Sequence, residues 1–548
     1  MTNTMKKTGL NVALASIFTL FATQTTFAAE VPAGTELAAK QELRWNIGSN
    51  PASLDPHKIE GTPEGFASRQ LFETLVISDA EGHIIPGAAI KWEHSPDFKK
   101  WTFHLRPDAK WSNGEPVTAE DFVFSFQRLA DPNTASPYSS YLKYLKLLNA
   151  EDVVAGKKPI TELGVKALDA HTLELTLSAS MPYADKLTEH YVLAPVNKKL
   201  VEQFGDKWTD VKNIVGNGAF TVKNWTINEK LELVPNPHYW DHAKTVLTSV
   251  TLYPIESENT DVARYRAGDL DITNHSLPLE LFSKLKQEYP NEVYTPASLC
   301  TYLYEINHKK PPFDDVRVRK ALAMALDRDI ITEKVTAQSQ VPAYSFTPPY
   351  INGGEKIEKP DWVALPQAER NKQAVALLKE AGFDKSNPLN FTLLYNTSEN
   401  HKKIALAASS LWQKNLAGAV KVTLENKEWK TYLDTRHQGN YQVTRAGWCA
   451  DYNEASTFLN YFLSTSSNNT AFYKSAEFDK LLSETYLAET DAQRAEIYAK
   501  LEAQLAKDAA LVPVYYYVDP RMVKPYVKGF PINHPGKSFY LKDVYLVK

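Results

Sequence analysis

The chain has 548 residues, 43% hydrophobic and 23% charged, with a formal net charge of −4. This length exceeds what one hydrophobic core serves and predicts two or three domains, while the mildly acidic balance argues against a nucleic-acid partner. No later segment approaches the ~20 consecutive apolar residues that cross a bilayer.

The first stretch, MTNTMKKTGLNVALASIFTLFATQTTFAAE, carries Lys6 and Lys7, then an uncharged apolar run from Leu10 to about Phe21, then small residues. This is the pattern of a secretory signal, with cleavage expected after Ala28. Removing residues 1–28 deletes two lysines and no acids, moving the charge to about −6. A membrane anchor is the weaker reading because the apolar run is too short. No cysteine follows the signal to accept a lipid, so export into an aqueous compartment is expected.

WTFHLRPDAKW (101–111) reads as a strand, Asn113-Gly114 as a turn, and the following segment as a capped helix beginning near Thr118. Tyrosines cluster in SPYSSYLKYLKLL (137–148) and VPVYYYVDP (512–520), as core or as the wall of a wet cleft. DDVRVRKALAMALDRDIITEKV (314–335) opens on an aspartate and spaces apolar residues helically, predicting one helix packed on a core.

The most legible region lies between Pro388 and Asn453. LNFTLLY (389–395), VKVTLE (420–425) and YQVTRAGW (441–448) read as strands, separated by helices over 401–416 and 428–438. Crossovers of this kind place three parallel strands in one sheet. Ligands sit beyond the carboxyl ends of such strands. His401 follows the first strand and Cys449 to Asn453 follow the third, so both face one sheet edge. Without internal repeats or long linkers, the domains are expected to exchange strands rather than follow one another.

Cys300 and Cys449 are the only cysteines. In an oxidising compartment an even pair is expected to be bridged, and two cysteines without histidines at ligand spacing do not make a structural zinc site. The chain lacks HExxH, GxSxG, Walker and GxGxxG motifs, so an enzyme is not expected, although glycosidase-type carboxylate pairs need no local motif. From the residues alone Asp451 is either a turn cap before NEAST or a counter-charge for a cationic ligand. Arg436 and His401 read as solvated helix ends, and Trp429 and Trp448 as core.

GAAIKWEHSPDFKKWTFHLRPDAKWSNGEPVTAEDFVFSFQRLADP (87–132) resembles family 5 extracellular solute-binding proteins. LDPHKIEGTPE, PHYWDHAKTVL, YEINHKKPPFDDVRVRKAL, LLYNTSENHKK, NKEWKTYLDTRHQG, RAGWCADYNEAS and VPVYYYV narrow the likeness to the oligopeptide-receptor branch of Gram-negative bacteria, over about 30–548. The resemblance implies an α/β, three-domain periplasmic binding protein of the class II-like, cluster C kind. Its two lobes close about a hinge over a peptide cleft. Domain I would comprise 29–72, 198–299 and 519–548, domain II 73–197, and domain III 300–518.

It further implies a monomer without cofactor that hands peptides of about two to five residues to an inner-membrane ABC permease. By this resemblance Asp451 holds the peptide's α-ammonium, and Arg445, His401 and Arg436 its carboxylate. Glu60, Tyr138, Trp429, Gly447, Trp448, Cys449 and Tyr517 line the backbone and side-chain pockets. A family lysine is replaced by Thr336, a departure that touches one ligand length. A murein-tripeptide receptor of the same family is the nearest alternative, with an exported hydrolase or a chaperone further off.

Overall fold

The computed structural model describes residues 31–548; the signal segment with its expected cleavage after Ala28 lies outside them. Three large sheets each carry their own core. In the first, the strand Glu42–Asn46 pairs in parallel with Ser249–Tyr253, followed by Lys230–Pro235 and Phe220–Thr226. The C-terminal residues Phe539, Leu541, Val544 and Leu546 pack into this core. Gln41 fastens them through paired amide bonds to Leu546.

The second sheet is antiparallel: Ala89–His94, Lys100–Leu105, Thr172–Thr176, Val165–Asp169. The helix Ala119–Ala130 covers it, burying Phe122, Phe126 and Leu129. Its start matches the expected cap, because the Asp121 carboxylate accepts from the Thr118 N–H at 2.8 Å.

The third sheet has six strands in the order Val341–Pro342, Leu511–Val518, Ala297–Ile306, Val443–Cys449, Leu389–Asn396, Val420–Lys427. The last three pair in parallel, as the strand-helix alternation requires. The crossover helices are Glu399–Asn415 and Trp429–His437. Apolar clusters cover both sheet faces, one holding Trp412 and Val443, the other Ala446 and Phe458.

The strand expected over 101–111 ends at Leu105 and that over 441–448 runs Val443–Cys449, and two helix boundaries differ for a visible reason. The first crossover helix starts two residues early, because the Ser398 hydroxyl accepts from the His401 N–H and caps the end. The single helix expected over 314–335 is interrupted. It runs over Val316–Ala325, leaves helical geometry at Leu326, and resumes at Arg328 before a wide-turned segment Ile331–Thr336. Asp327 caps the second piece by accepting from the Ile330 N–H. Arg328 takes the carbonyls of Ala323 and Leu326 at 3.0 and 3.1 Å, while Trp412, Gln367 and Asn415 donate to those of Leu322, Met324 and Ala325, so the first helix ends without orphaned acceptors. Apolar periodicity passes through such a break unchanged, which is why the sequence pattern missed it.

Candidate functional site

The strand Val443–Cys449 lies between Ala297–Ile306 and Leu389–Asn396 but is not paired equally with both. Its pairing with Ala297–Ile306 continues to the facing residues Cys300 and Cys449, which form the expected disulfide. Pairing with Leu389–Asn396 stops at Leu394 opposite Thr444. The next five residues, Arg445 to Cys449, therefore have a strand partner on one side only.

The Ala450 N–H donates to the Leu299 carbonyl. Alternation along a strand then turns the backbone groups of Arg445, Gly447 and Cys449 away from that neighbour. The Arg445 carbonyl is used by the Tyr432 hydroxyl, which leaves those of Gly447 and Cys449 on the open side. Gly447 is exposed there, with no side chain to block approach.

This open edge borders two adjoining chambers of ≈ 870 and ≈ 1020 Å³. The larger is lined by Asp451, Glu60, Tyr138, Arg436, Gly447, Trp448 and Cys449; Arg445, Trp429 and Tyr517 stand at the partition and line both. His401 and Thr336 line the smaller. Each residue given a peptide-binding role by the resemblance thus lines one or both chambers, whereas Cys300, fully buried, lines neither.

Asp451 stands at one end with its side chain 7% exposed. The Tyr138 hydroxyl donates to its Oδ1 at 3.2 Å, and His190 Nε2 approaches the same oxygen at 3.2 Å. The Val192 N–H points at His190 Nδ1, which makes Nδ1 the acceptor and Nε2 the protonated nitrogen. The Tyr138 hydroxyl thus donates to one carboxylate oxygen, His190 lies beside that oxygen, and Oδ2 is left for another cation or donor. Asp451 caps nothing with its side chain; its own N–H donates to Thr457 Oγ1.

Arg445 stands at the partition. Its Nη1 donates to Asn396 Oδ1 at 3.1 Å, its Nη2 bonds the Tyr517 hydroxyl, and it stacks 4.9 Å from the Tyr302 ring. Its Nε is buried without a partner. Among the described residues no carboxylate lies within ion-pair distance of it. A guanidinium held by neutral groups alone is a ready partner for a carboxylate.

His401 and Arg436 differ from that picture. Burial, with Arg445 nearby, pushes the His401 imidazole well below its usual range, so it can offer a hydrogen bond but not a charge. Arg436 is committed: its Nε and Nη2 both reach Glu305 Oε2, at 3.2 and 3.1 Å, and Glu305 is fully buried. A ligand carboxylate at Arg436 would have to share it with that acid.

The aromatic walls are tied down. Trp448 lies nearly parallel to Tyr138, centroids 6.2 Å apart, and donates to the Thr457 carbonyl. Trp429 stacks on Tyr432 and donates to Glu64 Oε1 at 2.9 Å. Burial pushes the Glu64 carboxyl up to about 7. Glu60 is also desolvated, but His437 at 2.6 Å and the nearby Arg436 outweigh that and hold it below its usual range.

The family model for "Bacterial extracellular solute-binding proteins, family 5 Middle" matches residues 83–470. The chain belongs to family 5 of the extracellular solute-binding proteins. Among relatives of this family-5 chain, the periplasmic oligopeptide-binding protein OppA of Salmonella typhimurium is 58% identical over the full length of both. The crystal structure of Haemophilus influenzae OppA in complex with RPPGFSPFR superposes with TM-score 0.93 at 54% identity, covering 94% of this chain and all of that one. The Escherichia coli murein tripeptide binding protein MppA superposes with TM-score 0.91 at 46% identity, covering 94% and 100%. Its unliganded open form gives only 0.65 at the same identity, covering 94% and 99%.

Sequence reasoning missed several residues of this family-5 cleft. His190, His275 and Lys537 all line the larger chamber, yet they come from loops far apart in the chain. Lys537 is 4% exposed and pairs with Asp519 at 2.8 Å. His275 lines both chambers and is kept neutral by burial and by Lys537, Arg521 and Arg445. No local pattern marks them. His190 stacks among Tyr138, Tyr141 and Tyr191, a neighbourhood that only the folded chain assembles.

Proposed function

We propose that this chain is the periplasmic substrate-binding component of an oligopeptide ABC transporter. It binds short peptides between its lobes and delivers them to an inner-membrane permease. We read it as a binding protein rather than an enzyme, in line with relatives that are binding proteins.

One observation carries the reading: a strand with an open edge has a carboxylate with a free oxygen just past one end and an uncompensated guanidinium within it. Six positions separate Asp451 from Arg445; at ~3.3 Å each they span up to about 20 Å, the length of an extended peptide of roughly five or six residues, fewer where the two side chains reach inward. The peptide backbone adds to the open edge at Gly447 and Cys449, as in β-augmentation. Its ammonium meets Asp451 Oδ2 and its carboxylate meets Arg445, with His401 as a neutral donor and Arg436 sharing Glu305. Side chains enter pockets walled by Trp429, Trp448, Tyr138, Tyr517 and Glu60, where water adapts the fit.

The structure resembles the TM-score 0.91 form of the MppA relative far more than that protein's open form, in keeping with a hinged, closed arrangement. A ligand touching both lobes binds the closed state preferentially and shifts the equilibrium toward it. Calorimetry with trialanine and N-acetyl-trialanine tests the assignment; equal affinities would remove Asp451 from the role given to it.

A further inference from the structure

The tripeptide Ser-Glu-Asn occurs twice in the chain, at 257–259 and at 398–400, and each copy opens a helix. The first copy starts the helix Glu258–Ala267, which a short loop joins to the strand Ser249–Tyr253 of the first sheet. This helix packs through Val262 and Tyr265 against Leu270, Leu285 and Met522. The second copy starts Glu399–Asn415, which packs through Ile404, Ala408 and Trp412 onto the third sheet. The two helices thus belong to different sheets, and their N-termini meet beside the smaller chamber, where Glu258, Ser398 and Asn400 form part of the wall.

Each copy caps the other. Glu258 accepts from the Ser398 hydroxyl at 2.5 Å and from the N–H groups of Glu399 and Asn400 at 3.1 and 3.5 Å. In return Glu399 accepts from the Asn259 side chain at 2.8 Å, and from the Asn259 N–H and the Ser257 hydroxyl, both at 3.4 Å. The two serines also cap their own helices, Ser257 accepting from the Thr260 N–H at 3.2 Å and Ser398 from the His401 N–H at 3.1 Å. The first N–H groups of a helix have no internal partner and carry the positive end of its dipole. Two such ends brought face to face repel, and a glutamate from each side answers both the unpaired donors and the charge. Asn400 Nδ2 widens the contact by donating to Ser276 Oγ and the Leu277 carbonyl at 3.0 and 2.9 Å, and Lys403 pairs with Glu280. Glu258 is 5% exposed, which shields its bonds from water. All of these contacts join protein to protein and use no ligand atom.

We propose that the twin Ser-Glu-Asn helix starts are a latch that holds the two lobes shut, made as the cleft closes and broken as it opens. Glu258 and Glu399 thereby set the closed fraction and, through it, the affinity for every peptide. The inference rests on the peptide-binding reading and on hinge closure. Where a ligand needs the closed form, its apparent Kd rises by the factor by which that form is depopulated. A latch residue therefore weakens all ligands alike, whereas a residue of a side-chain pocket weakens only some.

Glu399 and Asn259 line neither chamber, so substituting them leaves the peptide's own contacts in place. The test titrates the mature protein, freed of retained ligand, with trialanine, tetra-alanine and trilysine in a calorimeter. Glu399→Ala should weaken all three by a common factor of about ten, the size expected on losing a charged helix-end acceptor. Asn259→Ala, the milder change, should weaken all three by about threefold and add little in the double variant, because the bond between the two is already lost. Thermal unfolding of the ligand-free protein should not move, since the open form does not use the latch. Factors that differ between peptides by more than about threefold, a loss below about twofold for all of them, or a ligand-free unfolding temperature that falls with the affinity would each overturn the latch. Native protein that binds none of the three peptides sinks the peptide-binding reading and the latch together; native binding with any of those results sinks the latch alone.

Discussion

Replacing Asp451 by asparagine keeps the shape of the site and removes its charge. The Tyr138 hydroxyl donates to Oδ1 and His190 Nε2 lies 3.2 Å from it, and an amide oxygen in that position keeps both contacts, so the shape of the site survives. What disappears is the counter-charge on the free side. At about 3 Å and an effective dielectric near 20, an ammonium–carboxylate contact is worth ~5 kcal/mol before desolvation. Losing one partner of a buried pair costs ~3–5 kcal/mol. Taking the low end gives ~3 kcal/mol, roughly a hundredfold in Kd. Calorimetry on native and Asp451→Asn protein, each with trialanine and its N-acetyl form, makes a double-mutant cycle. The variant should weaken the free-amine peptide about a hundredfold and the acetylated one by less than threefold. Equal losses for both peptides, or a loss below threefold for the free amine, would refute the reasoning.

Three further outcomes follow from the same structure. Glu64 is 1% exposed and its carboxyl is raised to about 7 against an ordinary 4.5. A raised folded value means this contribution is complete below about 4.5 and is lost as pH climbs through about 7, by on the order of 3 kcal/mol. Urea unfolding at pH 5 and pH 8 should therefore show Glu64→Gln gaining stability relative to the native chain only at the higher pH. Replacing Cys300 and Cys449 together by serine opens a loop with a sequence separation of 149, and guanidinium unfolding should register a loss of about 2–5 kcal/mol. Small-angle scattering of the ligand-free protein should show a smaller radius of gyration on adding a saturating tripeptide; an unchanged radius would contradict hinge closure.

Much of this protein was legible before any coordinates. The strand and helix periods between Pro388 and Asn453 are local properties of the chain, and handedness rules turn them into three parallel strands without further information. The capped helix after Thr118 and the pairing of the only two cysteines were also readable, the first from short-range hydrogen bonding, the second from compartment chemistry. The break at Leu326 was not readable. It depends on Arg328 reaching carbonyls that an uninterrupted helix would have bonded internally, and apolar spacing carries no record of that choice.

The sequence by itself placed a carboxylate and two guanidinium groups where they could meet a charged ligand, because their order and spacing along the chain are covalent facts. Only the tertiary structure decided which of them are free to do so. Arg436 and Arg445 look alike in the chain, but a buried Glu305 claims the first and neutral groups surround the second. Asp451 gains its orientation from Tyr138 and His190, more than 250 residues earlier. Charge compensation and desolvation act through space, between loops that local sequence does not relate, and that is why the open strand edge and the paired helix starts beside it emerge only from the folded chain.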